Sequence, residues 1–369
     1  MSKKTYFVTG GGTGGHIYPA IAVADELLKN GEKVYYIGNP KNLEYNIVSQ
    51  KEYEFLPVNV HGMPRKVALS LVKWSFQILF AAIKSIYYIL KYKPDAVFGT
   101  GGYVSAPAMI AAKILGKPYM MHDCDAQPGL VTRHLAPYAK AISVEFESAK
   151  NFLRNKNIYV NGNPIRPAFK TLTKSEARKN LGLGEKLTIC IMGGSQGART
   201  INDASVALIK KLSTENDVQI IFQTGKKNFE RVIEQIIRLY PEYEADKNIL
   251  IRPYFEDMVT VLKASDIAIS RAGSLSLSEI EAAGLASILI PYPHAAADHQ
   301  RKNAKYMCEN GASLYLEDSQ TDEKHLGELI YLLINDGEKL NSLKENALRL
   351  AKYDGVEKIV EQLDQITDK

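Results

Sequence analysis

The sequence predicts an α/β protein made of two doubly wound parallel-sheet domains. Three observations carry that expectation. Short β-rich runs alternate with helical patterns along the whole chain, as parallel layers require. The order apolar strand, glycine loop, helix occurs at "KTYFVTGGGTGGHIYP" (4–19) and starts again at "KLTICIMGGSQGART" (186–200). The 369 residues are also more than one hydrophobic core ordinarily serves.

Taken in order, strands are expected at 5–9, 33–37, 95–98, 118–122, 141–144 and 158–160, with helices at 18–29 and 68–91. "VNGNPIRPAF" (160–169) then breaks the pattern with Gly162, Pro164 and Pro167. This puts a first domain at 1–163 and a second at 164–344. In the second half, strands are expected at 187–192, 218–222, 248–251, 266–270 and 286–290. The clearest helices there are 200–212, 228–239, 274–283 and 299–309. A last helix, about 343–367, fits either domain, which leaves the stretch 345–369 free to pack back on the first.

Composition narrows the function classes. Apolar residues make up 46% and charged residues 24%, an ordinary globular profile. A net charge of +5 is too mild for a dedicated nucleic-acid binder. Cys124, Cys190 and Cys308 are odd in number, far apart and in no metal-ligand spacing, which fits a reduced cytoplasmic chain. "MSKKTYFVTG" enters a strand at once, so secretion is not expected.

Three glycine loops follow strands, at 10–15, at "GTGGYVSAP" (99–107) and at "GGSQGA" (193–198). Glycine lets backbone N–H groups approach an anion, and the next helix adds its positive N-terminus. One such loop serves strand-to-helix packing as readily; three at strand ends point to phosphate chemistry. Gly10, Gly12 and Gly15 spell the dinucleotide fingerprint, but "KVYYIGNP" ends the second strand in Gly38-Asn39-Pro40. The acid that would hold a ribose is missing there, and no Arg replaces it. No P-loop motif occurs. His16 stands where the following helix begins, a position that disfavours the imidazolium. A neutral imidazole beside phosphate-holding amides suits a general base.

The densest polar cluster is "SRAGSLSLSEIEAAGLASILIPYPHAAADHQRKNA" (270–304). Two strands end there, and the loops and helices after them carry Arg271, Ser274, Glu279, His299 and Gln300 around one rim. Glu suits paired sugar hydroxyls as an acceptor, and Gln adds both a donor and an acceptor.

With GGTGGHIYPA (11–20), GTGGYVSAP (99–107), GNPIR (162–166), GGSQGAR (193–199), YFEDM (254–258), RAGSLSLSE (271–279) and DHQRKNA (298–304) in this order, the chain resembles the MurG family of peptidoglycan N-acetylglucosaminyltransferases. The resemblance spans nearly the whole sequence. It implies a GT-B fold, two Rossmann-like domains facing across a cleft, with the donor UDP-GlcNAc held mainly by the second. On matching positions, Phe255 would lie by the uracil through its backbone with Arg271 nearby. Glu279 would bind the ribose hydroxyls within the run Ser274, Leu275, Ser276, Leu277 and Ser278. Ser195 and its loop would bind the diphosphate, and Arg166 and Gln300 would complete the donor site. Thr13, Gly14 and Gly15 would face the cleft, touching the donor and, with Gly101, Gly102 and Tyr103, the acceptor diphosphate. His16 matches the family's general base. The implied reaction moves GlcNAc with inversion onto the MurNAc 4-hydroxyl of lipid I, giving lipid II.

No cofactor or metal is expected, because amides and a helix N-terminus meet the charge of departing UDP. Where the family has Asn, this chain has Asp125 in His122-Asp123-Cys124-Asp125. Ionised, it can only accept hydrogen bonds, so it either binds the donor sugar as acceptor or shares proton handling with His16. The same stretch spells D-x-D, a metal motif of another transferase class, here in the half of the chain where the resemblance gives it no role. "VALSLVKWSFQILFAAIKSIYYILKYK" (67–93) carries apolar residues at 69, 72, 76, 79, 80, 83, 87 and 90. Lys73, Gln77 and Lys84 interrupt it, and Arg65 and Lys66 precede it. That pattern reads as an interfacial helix at the cytoplasmic face of the membrane rather than a span, part of it packing on the sheet. Two other readings stay open: a different GT-B UDP-sugar enzyme, such as a diacylglycerol glycosyltransferase, and a non-catalytic UDP-sugar-binding subunit.

Overall fold

A computed structural model describes residues 3–62, 69–194, 196–215, 217–295 and 298–368. The chain forms two compact units, Met1–Ile165 with Lys352–Lys369, and Arg166–Ala351.

The first unit is built on seven parallel strands: β1 (Thr5–Thr9), β2 (Lys33–Gly38), β3 (Glu54–Pro57), β4 (Ala96–Gly99), β5 (Tyr119–Asp123), β6 (Ala141–Val144) and β7 (Ile158–Val160). Their order is β3-β2-β1-β4-β5-β6-β7. Helices α1 (Gly14–Lys29), α2 (Leu43–Val48), α3 (Leu69–Tyr92), α4 (Gly102–Ile114) and α5 (Leu130–Leu135) connect them. The period-two alternation of a strand sends Tyr6 and Val8 to one face and Phe7 to the other. Tyr6 and Val8 pack with α1 and with Ile359, Val360 and Leu363 of the last helix, Gly355–Thr367. Phe7 packs with α4 and the buried side of α3.

The second unit has six parallel strands: β8 (Thr188–Met192), β9 (Gln219–Gln223), β10 (Ile249–Arg252), β11 (Ile267–Ser270), β12 (Ala286–Leu289) and β13 (Ser313–Tyr315). The order is β10-β9-β8-β11-β12-β13. Around them lie α6 (Ala168–Thr171), α7 (Lys174–Leu181), α8 (Arg199–Glu215), α9 (Phe229–Leu239), α10 (Met258–Ala264), α11 (Ser274–Ala283), α12 (His299–Glu309), α13 (Glu323–Asn335) and α14 (Gly337–Leu350); α15 is the last helix named above.

Each strand expected from sequence lies within one residue of a strand here. β3 and β13 were not expected. Both are short edge strands, and an edge needs no apolar run on two faces. Helix α1 starts at Gly14, four residues before the expected Tyr18, and so carries Pro19 in its interior. Only the bond from residue 19 to the Gly15 carbonyl is lost. The single helix expected at 343–367 is two helices broken at 351–354. The halves serve different cores: α14 buries Leu340, Leu343 and Ala347 in the second unit, whereas α15 buries Val356, Ile359 and Leu363 in the first.

α15 is pinned by polar contacts as well. The Tyr6 hydroxyl donates to Asp364 at 2.6 Å, and Asn161 donates to Gln362 at 2.8 Å. Lys352 pairs with the buried Glu145 at 3.0 Å.

In the second unit, at the amino ends of β8 and β11, Asp266 gathers three cations. Arg178 lies at 2.9 Å and Lys344 at 3.0 Å, with Lys174 also bonded to it, and the Thr188 N–H donates at 3.1 Å. Burial pushes the Asp266 carboxyl up, but the bonds and charges of Lys174 and Lys344 more than offset this and hold it below its usual range. A depressed folded-state pKa adds stability that is full above the unfolded value, about 4, and is lost as the pH falls through the folded value. In urea unfolding followed by circular dichroism, Asp266→Asn is expected to cost about 3–5 kcal/mol at pH 7, because it leaves the buried Arg178 without its carboxylate. The variant should also lose part of the stability decline seen below about pH 4.

Candidate active site

The order of each sheet creates one place where helices diverge to opposite sides. In the first unit it lies between β1 and β4, paired through Thr9 and Gly99. Ligands bind α/β sheets at the carboxyl ends of the strands at such a point, and two of the glycine loops leave there. Thr13, in extended conformation, caps α1, and its carbonyl takes the N–H groups of His16 and Ile17 at 3.1 and 3.0 Å. The Gly14 and Gly15 amides head the helix. Helix α4 starts likewise at Gly102, capped by Gly101. The two loops are tied by Thr100, whose hydroxyl donates to the His16 carbonyl at 2.6 Å.

The His16 ring lies on Gly102. A Cβ there would stand 3.0 Å from its Cδ2 and 3.3 Å from Nε2, and Gly102 has φ +70°, in the left-handed region. His16 Nδ1 is buried and finds no hydrogen-bond partner among the described residues. Such an orphan is expensive unless function keeps it. Tyr103 packs its ring edge on Gly12. His16, the loop 13–15, and 101–103 thus stand together in one unit.

Beside them runs His122-Asp123-Cys124-Asp125. His122 is fully buried, and burial pushes its pKa down. As the neutral ring it donates from Nε2 to Asn163 Oδ1 at 2.9 Å and accepts at Nδ1 from Ser143 at 3.0 Å. It therefore anchors the GNPIR segment from below. Asp123 spends its oxygens on the N–H groups of Asp125 (3.2 Å) and Gly129 (3.1 Å). Its pKa is raised by burial and then by the charge of Asp125. Asp125 is half-buried on the same loop. Among the described residues no group of three or more His, Cys, Asp or Glu could hold a metal ion.

In the second unit the corresponding point lies between β8 and β11. Ser195, in the loop after β8, is outside the described residues. The flanking backbone is held by Gln223, which donates to Gly194 O at 3.3 Å, and by Asn228, which donates to Gln196 O at 3.2 Å. Gln223 Oε1 also takes the Phe255 N–H at 2.8 Å. After β11 the chain turns through Gly273 into α11. Ser274 and Ser278 are buried, Leu275 and Ser276 are half-buried, and Leu277 points its side chain into the interior.

Glu279 sits in the second turn of α11 and accepts from Arg166 at 2.8 Å. Burial raises its pKa and Arg166 partly offsets the rise. Gln300 Oε1 takes the Tyr292 N–H at 2.9 Å, leaving its amide nitrogen to offer. Arg271 is engaged by the protein itself. It donates to the Ile290 and Pro291 carbonyls at 3.1 Å each and to Thr200 at 3.3 Å, and it pairs with Asp318 at 2.5 Å. It holds the rim loop in shape, a role the sequence pattern does not reveal because Asp318 lies 47 residues away along the chain.

Comparison with known proteins agrees with this layout. Residues 6–144 match the glycosyltransferase family 28 N-terminal domain, and residues 188–362 match the C-terminal domain of the same family. The chain belongs to glycosyltransferase family 28. Among its relatives is a protein of Thermoanaerobacter sp. (strain X514), 38% identical over 367 residues, covering 98% of this chain and 100% of that one. It is described as UDP-N-acetylglucosamine–N-acetylmuramyl-(pentapeptide) pyrophosphoryl-undecaprenol N-acetylglucosamine transferase. A protein of Halothermothrix orenii with the same description is 37% identical, covering 93% of this chain and 94% of that one. The crystal structure of Acinetobacter baumannii MurG superposes with a TM-score of 0.77 at 27% identity, covering 98% of this chain and 99% of that one. The two parallel sheets are thus the GT-B architecture of the family 28 enzymes.

Gly102 offers a direct test of the first site. Gly102→Ala pushes a methyl against the His16 ring and strains the backbone. It is expected to lower kcat/KM for glycosyl transfer by roughly tenfold to a hundredfold, the scale of a small misplacement of a catalytic group. Steady-state kinetics beside a thermal melt checks that the loss exceeds any loss of folded protein.

Proposed function

We infer that this family 28 protein transfers GlcNAc from UDP-GlcNAc to the MurNAc 4-hydroxyl of an undecaprenyl-pyrophosphoryl-MurNAc-pentapeptide, forming the lipid-linked disaccharide used in peptidoglycan synthesis. The observation that carries this reading is full-length likeness to transferases of that description, with His16 set between the two glycine loops of the first unit. The free amides at the head of α1 and the start of α4 suit the acceptor diphosphate. His16, whose Nδ1 is buried and unpaired, takes the proton from the 4-hydroxyl through its other nitrogen, Nε2, on the Gly102 side. The oxygen attacks the anomeric carbon from the face opposite UDP, the glycosidic C–O bond to phosphate breaks, and a β-1,4 link forms.

Donor recognition falls to the second unit. Glu279 exchanges its bond with Arg166 for ribose hydroxyls, which frees the guanidinium for phosphate oxygens. The Phe255 carbonyl suits the uracil imide N–H. The loop 193–198 and the head of α11 receive the charge that develops on UDP. Gln300 offers its amide to a sugar hydroxyl. Asp125, an acceptor beside the His16 loop, suits a hydroxyl or acetamido N–H of the sugar.

The lipid-linked acceptor calls for a membrane surface, and α3 supplies one. Val72, Phe76, Leu79, Phe80, Ile83, Tyr87 and Leu90 are each more than half exposed. They are seven of the eight positions of the stripe that sequence periodicity picks out, the side chain of Leu69 lying outside the described residues, while Ala81, Ala82, Ser85, Tyr88 and Ile89 turn inward. Lys73, Lys84 and Lys91 are exposed beside them. Arg65 and Lys66 lie outside the described residues, and no helix among those described is long and apolar enough to cross a membrane. A contiguous apolar patch with a basic rim suits the anionic leaflet.

Kinetics and membrane binding test this reading. With radiolabelled UDP-GlcNAc and lipid I in detergent, His16→Ala should lower kcat by roughly 10²–10⁴-fold with donor KM little changed. In the same assay Glu279→Ala should raise donor KM at least about tenfold, and transfer to diacylglycerol instead of lipid I would favour the other GT-B reading. In vesicle flotation, the chain should bind anionic vesicles at low salt more than neutral ones. The pair Phe76→Ser and Phe80→Ser should abolish binding while leaving transfer to a short-chain soluble acceptor intact.

A further inference from the structure

The first glycine loop looks as if it lacks the acidic residue that usually follows the second strand. The structure supplies an acid from elsewhere. Glu44, in the first turn of α2, is fully buried, and its carboxylate turns back beneath the loop. Oε2 accepts the Gly12 N–H at 3.2 Å, and Oε1 accepts the Asn39 N–H at 3.1 Å and the Asn42 side-chain amide at 3.3 Å. Contact is close: a Cβ added at Gly11 would stand 2.5 Å from Oε1. Asn42 also reaches the Tyr103 hydroxyl at 3.5 Å, and the Tyr103 ring lies on Gly12.

We propose that Glu44 is a positioning residue for the acceptor diphosphate: it draws the Gly12 amide inward and thereby fixes the turn that presents the Gly14 and Gly15 amides and sets His16. Glu44 touches no reacting atom. In a dinucleotide enzyme the acid after the second strand faces the ligand's ribose; here the acid is spent on the loop's own backbone. The Gly12 N–H is spent on this carboxylate, so the loop receives phosphate at Gly14 and Gly15 and not at Gly12. Through Asn42 and Tyr103 the same carboxylate sets the spacing between the first and second glycine loops.

This rests on the function inferred above, and one experiment separates the two. Glu44→Gln keeps the shape but sets an NH2 group against an N–H donor. Glu44→Asp keeps the charge on a shorter arm. In Glu44→Gln, KM for lipid I should rise at least tenfold while KM for UDP-GlcNAc and the calorimetric affinity for UDP stay within twofold. Glu44→Asp should recover part of the acceptor KM. Donor and acceptor KM rising together, or neither moving, would overturn the proposal. If Glu44→Gln does not fold, Asn42→Ala, which removes one of the three donors, should shift the acceptor KM alone by a smaller factor; no shift counts against the proposal. Absence of transfer to lipid I by the unaltered chain would instead overturn the functional reading.

Discussion

Everything in this protein hangs on the double-sided pairing of two central strands. β1 hydrogen-bonds β2 on one edge and β4 on the other, and β8 does the same with β9 and β11. A strand paired on both edges and covered on both faces can meet solvent only at its ends. In a parallel sheet the carboxyl ends collect the loops that start helices, and those helices bring unpaired N–H groups. The two switch points are therefore the sites where anionic substrates can be met by backbone alone, and the glycines are there because backbone must come close.

The remaining polar architecture keeps those loops in place at low cost. His122 and Glu145, both buried, close on Asn163 and its backbone, which fixes the GNPIR segment where the first unit ends. Arg271 does comparable work for the rim of the second unit through two carbonyls and Asp318. Each is a buried polar group whose bonds are satisfied inside the protein, where an unmet one would cost about 1–3 kcal/mol. Among the described residues of this setting, His16 Nδ1, Thr9 Oγ1 and Thr132 Oγ1 are buried without a partner, and His16 is the residue proposed to exchange a proton.

The apolar face of α3 inverts the ordinary rule. Its inward side carries Ala81, Ala82, Ser85, Tyr88 and Ile89, and its outward side carries Val72, Phe76, Leu79, Phe80, Ile83, Tyr87 and Leu90. A helix with two apolar sides reads as a core helix in one dimension. Which side the sheet takes is decided by the close packing of α3 on α4, where Ala81, Ala82 and Ser85 admit a neighbour more closely than phenylalanine would.

The sequence by itself determined the two parallel sheets, eleven of their strands, the three glycine loops and the family. All of these depend on local signals: apolar runs of strand length, glycine where the chain turns, and motifs within a dozen residues. It did not determine the edge strands β3 and β13. The break at 351–354 also escaped it, because helical periodicity runs through a point where the chain changes cores. Only the tertiary structure decided that Glu44 supports the first glycine loop, that Arg271 is committed to Asp318, and that Glu279 is held by Arg166. The physical reason is the same in each case. A buried carboxylate or guanidinium is defined by the partners that satisfy it, and these come from segments 32, 47 and 113 residues distant that meet only when the sheets close.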